Sequence, residues 1–365
     1  MIVNRKIRVL VVDDSAVARK MIVDILSADP RIEVIGAAED AYNARDRILS
    51  TNPDVLTLDI EMPRMDGLTF LGILQKHRPI PVIVISALTP AGSKLALEAL
   101  EGGAVEVLAK PGNQAELPRF ADQLRRCVKG AADTRRREQV PPALGVPRLR
   151  AEATFQRRQI IVLGASTGGT EALKQVLTPL PAGLPGILIV QHIPPIFSKA
   201  FAERLSNVCA FPVREAQDKD LLTPGMALVA PGDYHMMATF KAGHYSITLR
   251  QSPPVQHVRP SVDVLFASIA QSPGVLAVGV VLTGMGVDGA AGLQRLKQAG
   301  ARTIAQDEET SVVFGMPRAA IELGAVDQVL PLAAIPAAIV KAACAQAEEA
   351  ELASTRSSPS ANEGG

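Results

Sequence analysis

The 365-residue sequence has no tryptophan, and its aromatic residues together amount to 3%. Surfaces that stack on nucleic-acid bases are built from aromatic rings, so this scarcity argues against nucleic acid as a partner. Neither sign of charge is in excess. There are 38 Lys and Arg against 37 Asp and Glu, a formal net charge of +1, so no whole-chain field points to nucleic acid or a membrane. The three cysteines, Cys127, Cys209 and Cys344, lie far apart. They fit neither a metal spacing nor a disulfide framework, which suggests a reducing compartment. No stretch reaches the roughly 18–20 apolar residues that cross a bilayer, and the first apolar run is too short for a secretory signal. These absences lead us to expect a cytoplasmic protein without direct membrane insertion.

Apolar residues are plentiful, at 47%, and are arranged as two successive α/β patterns. In the first, "IRVLVVDD", "IEVIGAAE", "DVLTLDIEMP", "PVIVISA" and "AVEVLAKP" read as strands buried on both faces. "SAVARKMIVDILSADP" reads as a helix capped by Ser15, with Val17, Met21 and Ile25 on one stripe. Arginines and lysines from Arg125 to Arg158, interrupted by "QVPPALGVP", read as the end of a helix and a tether. A second pattern follows, with "QIIVLGA", "GILIVQHI", "GMALVAPG", "YSITLR" and "LAVGVVLTG" as strands. The expected division is a first domain over 1–125, a basic flexible linker over 126–158, a second domain over 159–348 and a disordered tail over 349–365.

In an open parallel sheet, ligands bind beyond the carboxyl ends of the strands. The strand ends of the first domain carry Asp13 and Asp14, Asp59, Ser86 and Lys110. Clustered carboxylates repel unless a cation offsets them, and Mg²⁺ binds through one or two carboxylates while keeping phosphate oxygens. Such a site can take a phosphoryl group onto an aspartate, with Lys110 and Ser86 on its oxygens. "VVDDS", "LDIEMPRMDG", "ISA" and "AKP" follow the order of the response-regulator receiver domain, and this half resembles that family. The resemblance implies a flavodoxin-like five-stranded parallel sheet with Asp59 as phosphoacceptor for a chemotaxis histidine kinase. It also implies Mg²⁺ held by Asp14, Asp59 and the Glu61 carbonyl, with Asp13 in support. One position departs from the family pattern. Val107 stands where many receivers place an aromatic switch residue.

The second domain opens with "IIVLGASTGG", a strand running into a tight turn. Such a turn can cradle a phosphate or hold up a nucleophile. It lacks the lysine of a phosphate loop, and it matches G-x-S-x-G with Ser166 exposed. Serine needs a base. His192 ends an apolar strand, His235 has similar standing, and His244 and His257 lie in hairpin or loop stretches. The base needs a carboxylate to orient it, and Asp288 follows "VGVVLTGMG". Asp288 could equally cap the helix that follows.

"GASTGG", "VQHIPP", "APGDYHM", "RPSVDVLF", "LTGMGVDGA" and "VVFGMPRAA" together resemble the catalytic domain of the chemotaxis protein-glutamate methylesterase (CheB) family. The resemblance implies a doubly wound α/β domain with Ser166, His192 and Asp288 as a catalytic triad. The backbone N–H groups of Thr167 and Met285 would hold the oxyanion, and the esterase step would need no metal. It implies γ-glutamyl methyl esters of methyl-accepting chemoreceptors as substrate, with deamidation of receptor glutamines as a second activity. The receiver would cover the active site until phosphorylated. A monomer is expected.

Overall fold

The computed structural model describes residues 5–86, 90–134, 149–150 and 154–357. The first unit alternates β1 (Ile7–Val12), α1 (Ala16–Ser27), β2 (Ile32–Ala38), α2 (Ala41–Thr51), β3 (Val55–Asp59), α3 (Gly67–His77), β4 (Val82–Ser86), α4 (Pro90–Glu101), β5 (Glu106–Ala109) and α5 (Leu117–Thr134). Its parallel sheet has the order β2-β1-β3-β4-β5. β3 and β4 are buried along their whole length, as strands made mostly of Val, Leu and Ile in a parallel sheet should be. Ser15 caps α1, accepting a hydrogen bond from Ala18 N–H at 3.3 Å. The expected stripe on α1 is only partly right. The buried face passes through Ile22, Ile25 and Leu26, whereas Val17 is 81% exposed. Val17 sits in the first turn of the helix, beyond the carboxyl end of the strand it follows.

The second unit runs β6 (Gln159–Ala165), α6 (Gly169–Leu177), β7 (Gly186–Gln191), α7 (Pro195–Val208), β8 (Val213–Glu215), β9 (Leu221–Leu222), β10 (Ala227–Val229), β11 (His235–Lys241), β12 (His244–Arg250), α8 (Val262–Ala270), β13 (Leu276–Val281), α9 (Ala290–Gln298), β14 (Arg302–Gln306), α10 (Met316–Glu322), β15 (Gln328–Leu330) and α11 (Ile335–Ser357). Seven strands form a parallel sheet in the order β15-β14-β13-β6-β7-β10-β8, and β11-β12-β9 form a small antiparallel sheet. Alternation along β6 builds two cores. Ile161 and Leu163 face α6, α7 and α11, through Leu173, Phe201 and Ile339. Ile160 and Val162 face α8 and α9, through Phe266 and Leu293. From β6 the chain winds one way to β7, and it later returns to the other side as β13. The strand order reverses at β6, and such a switch point opens a crevice at the carboxyl ends. The short strands β8, β9 and β15 and the edge-side β14 carry too little periodicity to be read from sequence.

Two expected boundaries move. α5 continues to Thr134, because Cys127, Val128 and Ala131 extend its buried stripe past the start of the basic run. α11 continues to Ser357, so order persists beyond Glu349 in a segment rich in the helix formers Ala and Glu. The Arg302–Glu349 ion pair, at 2.7 Å, ties that segment to β14. The remainder of the expected linker and tail, 135–148, 151–153 and 358–365, lies outside the described residues.

The receiver-like unit packs on the second unit through α4, β5 and α5. Phe197 of α7 is buried in the same apolar cluster as Val107, Leu58 and Phe70. Glu101 pairs with Lys174 at 3.7 Å and with Arg204, and Arg119 approaches Asp233 at 3.5 Å. Gly130 of α5 lies against the 310–315 loop, where an added Cβ would come within 2.9 Å of Val313 Cγ2. Burial at this contact pushes the Glu106 carboxyl up to about 7, and hydrogen bonds with Val107 N–H and the Thr167 side chain only partly offset it.

The raised value means that Glu106 binds a proton on folding. Its contribution is complete below the ordinary value of 4.5 and is lost as pH rises through about 7. Thermal denaturation from about pH 5 to about pH 8 should therefore show the wild type losing stability relative to Glu106→Gln; parallel curves would refute this. Gly164 of β6 meets Val262 so closely that an added Cβ would lie 2.3 Å from its Cγ1. Gly164→Ala should cost about 1–3 kcal/mol, read as a lower denaturant midpoint at unchanged slope.

Candidate active site and phosphoryl site

Three adjacent strands of the large sheet deliver the candidate catalytic residues. Ser166 follows β6, His192 follows β7 and Asp288 lies in the loop after β13. Ala165 and Gln191 are paired across β6 and β7, which sets Ser166 and His192 side by side. The turn at Ser166 is tied down from several sides. Its N–H donates to the Thr283 carbonyl at 3.0 Å, and its own carbonyl accepts from Gly169 N–H at 2.6 Å. Gly168 has φ +75°, and an added Cβ there would strike Val312. A glycine is required on both counts.

The imidazole of His192 is 10% exposed and its Nε2 lies 2.8 Å from Asp288 Oδ2. A carboxylate only accepts, so Nε2 carries the proton and Nδ1 holds the lone pair. Asp288 does not cap α9, whose N-cap is Gly289. Its carboxylate instead receives the N–H groups of Val262 and Asp263 at the start of α8, at 2.6 and 3.2 Å. It also accepts Ser261 Oγ–H at 2.7 Å. Burial alone would raise this carboxyl, but the bonds from His192, Ser261 and Val262 outweigh it and hold it below the usual range. Among the described residues, Ser166 Oγ makes no hydrogen bond to the His192 ring. Catalytic hydrogen bonds commonly tighten only when substrate is bound.

Thr167 and Met285 flank Ser166, and neither N–H donates to a described residue. Thr167 is held by Thr283, which sequence reasoning did not single out. Its buried hydroxyl donates toward the Thr167 and Val313 carbonyls at 3.0 and 3.3 Å and accepts from Val313 N–H at 2.9 Å. Gln191 was also missed. It is 1% exposed, and its Nε2 donates to the Ser166 carbonyl at 2.9 Å. His235, the rival base, is fully buried away from Ser166 and bonds Ser261 N–H and the Pro253 carbonyl. His244 begins β12 and His257 lies in a loop with φ +65°, so neither joins the site.

In the first unit, Asp13, Asp14 and Asp59 bring carboxylate oxygens within 4.8 Å of one another. Lys110 Nζ lies 2.6 Å from Asp59 Oδ2 and 2.8 Å from Asp13 Oδ2. Burial raises the Asp59 carboxyl, and Lys110 opposes the shift without cancelling it. Burial likewise disfavours the Lys110 charge, but its bonds to Asp13 and Asp59 prevail and hold it above its ordinary value. Ser86 ends β4 and is buried, and its carbonyl accepts Lys110 N–H at 2.8 Å. Three hard oxygen donors beside an ammonium suit Mg²⁺ and a phosphoryl group. Glu61 follows β3, two residues beyond Asp59, where its carbonyl could join the set. No helix among the described residues is long and apolar enough to cross a membrane.

Residues 161–339 match the family model described as CheB methylesterase, and residues 9–121 match the response regulator receiver domain. A protein-glutamate methylesterase/protein-glutamine glutaminase of Syntrophus aciditrophicus is 50% identical over 92% of this chain and 99% of the relative. One from Pseudomonas aeruginosa is 50% identical over 92% of this chain and 97% of the relative. The crystal structure of the Thermotoga maritima CheB methylesterase catalytic domain is 39% identical, covering 50% of this chain and 97% of that one with a TM-score of 0.48. By sequence identity along nearly its whole length, the chain belongs to the CheB methylesterase family, with a response-regulator receiver domain ahead of the methylesterase domain.

Proposed function

We propose that this chain hydrolyses γ-glutamyl methyl esters on methyl-accepting chemoreceptors, releasing methanol, and that phosphorylation of its receiver switches the reaction on. The observation that carries the reading is the buried His192–Asp288 pair beside the Ser166 turn. Ser166 Oγ adds to the ester carbonyl carbon as its proton passes to His192 Nδ1. Asp288 holds the resulting imidazolium through Nε2. The N–H groups of Thr167 and Met285 receive the oxyanion, each such donor being worth about 3–4 kcal/mol of barrier. The carbon–methoxy bond then breaks, the methoxy oxygen takes the proton from His192, and methanol leaves. Water repeats the sequence on the acyl-enzyme and leaves a free glutamate. A receptor glutamine would follow the same path with ammonia leaving.

In the receiver, Asp14, Asp59 and the Glu61 carbonyl would hold Mg²⁺, with Asp13 in support. Bound there, the ion would offset the carboxylate charge while Asp59 takes phosphate from a chemotaxis histidine kinase. Lys110 and Ser86 would bind the phosphoryl oxygens. The face through α4, β5 and α5 reaches Val313 and the Thr167 turn, so a receiver in this position narrows access to Ser166. Phosphate on Asp59 would draw on Lys110 and shift the population toward a displaced receiver.

The test is methanol release from methylated receptor by the full chain. Ser166→Ala should lower it by at least about 10³-fold while receptor binding persists. Retained turnover would reject the nucleophile, and lost binding would reject a purely catalytic role. A small-molecule phosphodonor should raise the wild-type rate, and Asp59→Ala should remove that increase. A wild type that does not respond would refute the control.

A further inference from the structure

Asp288 is itself held in place, and the residues that hold it form a second buried layer. Ser261 is fully buried. Its Oγ–H donates to Asp288 Oδ1 at 2.7 Å, and the same oxygen accepts Val264 N–H at 3.3 Å as the cap of α8. The Ser261 N–H points the other way, to His235 Nδ1 at 3.2 Å. A backbone N–H can only donate, so Nδ1 must carry the lone pair. Nε2 therefore carries the proton, and it donates to the Pro253 carbonyl at 3.1 Å. Both ring nitrogens of this fully buried histidine are committed. A second ring proton would set N–H against the N–H of Ser261. Burial and the nearby Arg259 charge push His235 below its ordinary value, against opposing pulls from the Pro253 bond, Asp288 and Asp233.

We infer that Ser261 and His235 are positioning residues for the proposed reaction: His235 Nδ1 fixes the Ser261 backbone, and the Ser261 hydroxyl fixes the Asp288 carboxylate that orients His192. The inference rests on the triad reading. Neither residue hydrogen-bonds Ser166 among the described residues, so both act through Asp288. Without the Ser261 hydroxyl, Asp288 Oδ1 keeps only the longer bond from Asp263 N–H, at 3.2 Å. Oδ2 stays held by Val262 N–H at 2.6 Å, so the carboxylate pivots about that bond and the alignment of His192 loosens.

In the full chain with phosphodonor, Ser261→Ala should lower kcat for methanol release roughly ten- to hundred-fold, the range for losing a bond to a charged group, with KM changed less than about two-fold. His235→Asn presents an amide oxygen where Nδ1 sits and should retain most of kcat, whereas His235→Leu should fall with Ser261→Ala. Imidazole NMR gives a readout that does not depend on turnover. At a pH where a free imidazole is half charged, His235 should still be mostly the neutral Nε2–H tautomer. The proton between His192 and Asp288 should give a downfield resonance that weakens or moves upfield in Ser261→Ala. If the wild type released no methanol yet these signatures held, the methylesterase reading would fall and the positioning layer would stand. An active wild type with normal kcat and an unmoved resonance in Ser261→Ala would overturn the inference. So would equal losses in His235→Asn and His235→Leu.

Discussion

The carboxylate of Asp288 is the point on which the catalytic half depends. It is 2% exposed and accepts hydrogen bonds from four directions: the His192 ring, the Ser261 hydroxyl, and the N–H groups of Val262 and Asp263. Those donors belong to the end of β7 and the start of α8, and Asp288 itself to the loop after β13. A buried carboxylate is costly unless its lone pairs are filled, and the same filling leaves it one orientation. The start of α8 is thereby joined to the strand that carries His192. Asp263 extends the connection, accepting Gly292 N–H from α9 at 2.6 Å.

The receiver meets the catalytic half through α4, β5 and α5, and β5 is the element that also leads to Lys110. Lys110 follows β5 and divides its charge between Asp59 and Asp13. Four residues earlier, Glu106 begins the same strand and faces the Thr167 turn. Val107 lies between them, buried, in a cluster to which the catalytic half contributes Phe197. The phosphoryl end and the covered end of the interface are therefore separated by four residues of extended chain. On the proposed phosphorylation of Asp59, the new anion would redistribute the bonds of Lys110, and the backbone that would feel this is already in contact with the catalytic half.

Most of the architecture was legible because buried parallel strands write long apolar runs and their carboxyl ends collect the chemistry. "IIVLGASTGG", "GILIVQHI" and "LAVGVVLTG" are central strands of the large sheet, and Ser166, His192 and Asp288 stand at their ends. The supporting residues were not legible. Ser261 meets Asp288 across 27 residues and Thr283 meets Thr167 across 116, and each looks in sequence like an ordinary loop hydroxyl. His235 resembled His192 in sequence, since both end or begin strands. Burial and the direction of one backbone N–H separate them. The basic run and the polar tail misled for a related reason. Charge on one face of a helix hides the apolar stripe on the other, as Cys127, Val128 and Ala131 do within α5.

The His192–Asp288 pair is already formed, and on the proposed control the receiver, which touches Val313 and Thr167, limits access to Ser166. A reversible tether tests that most directly. Gly130 of α5 and Val313 of the 310–315 loop approach closely enough for Gly130→Cys and Val313→Cys to be joined by oxidation. Methanol release from methylated receptor should then be low and deaf to phosphodonor in the oxidised chain, and reductant should restore both the rate and the response. An oxidised, fully cross-linked chain that answers phosphodonor as well as the reduced one would contradict the account.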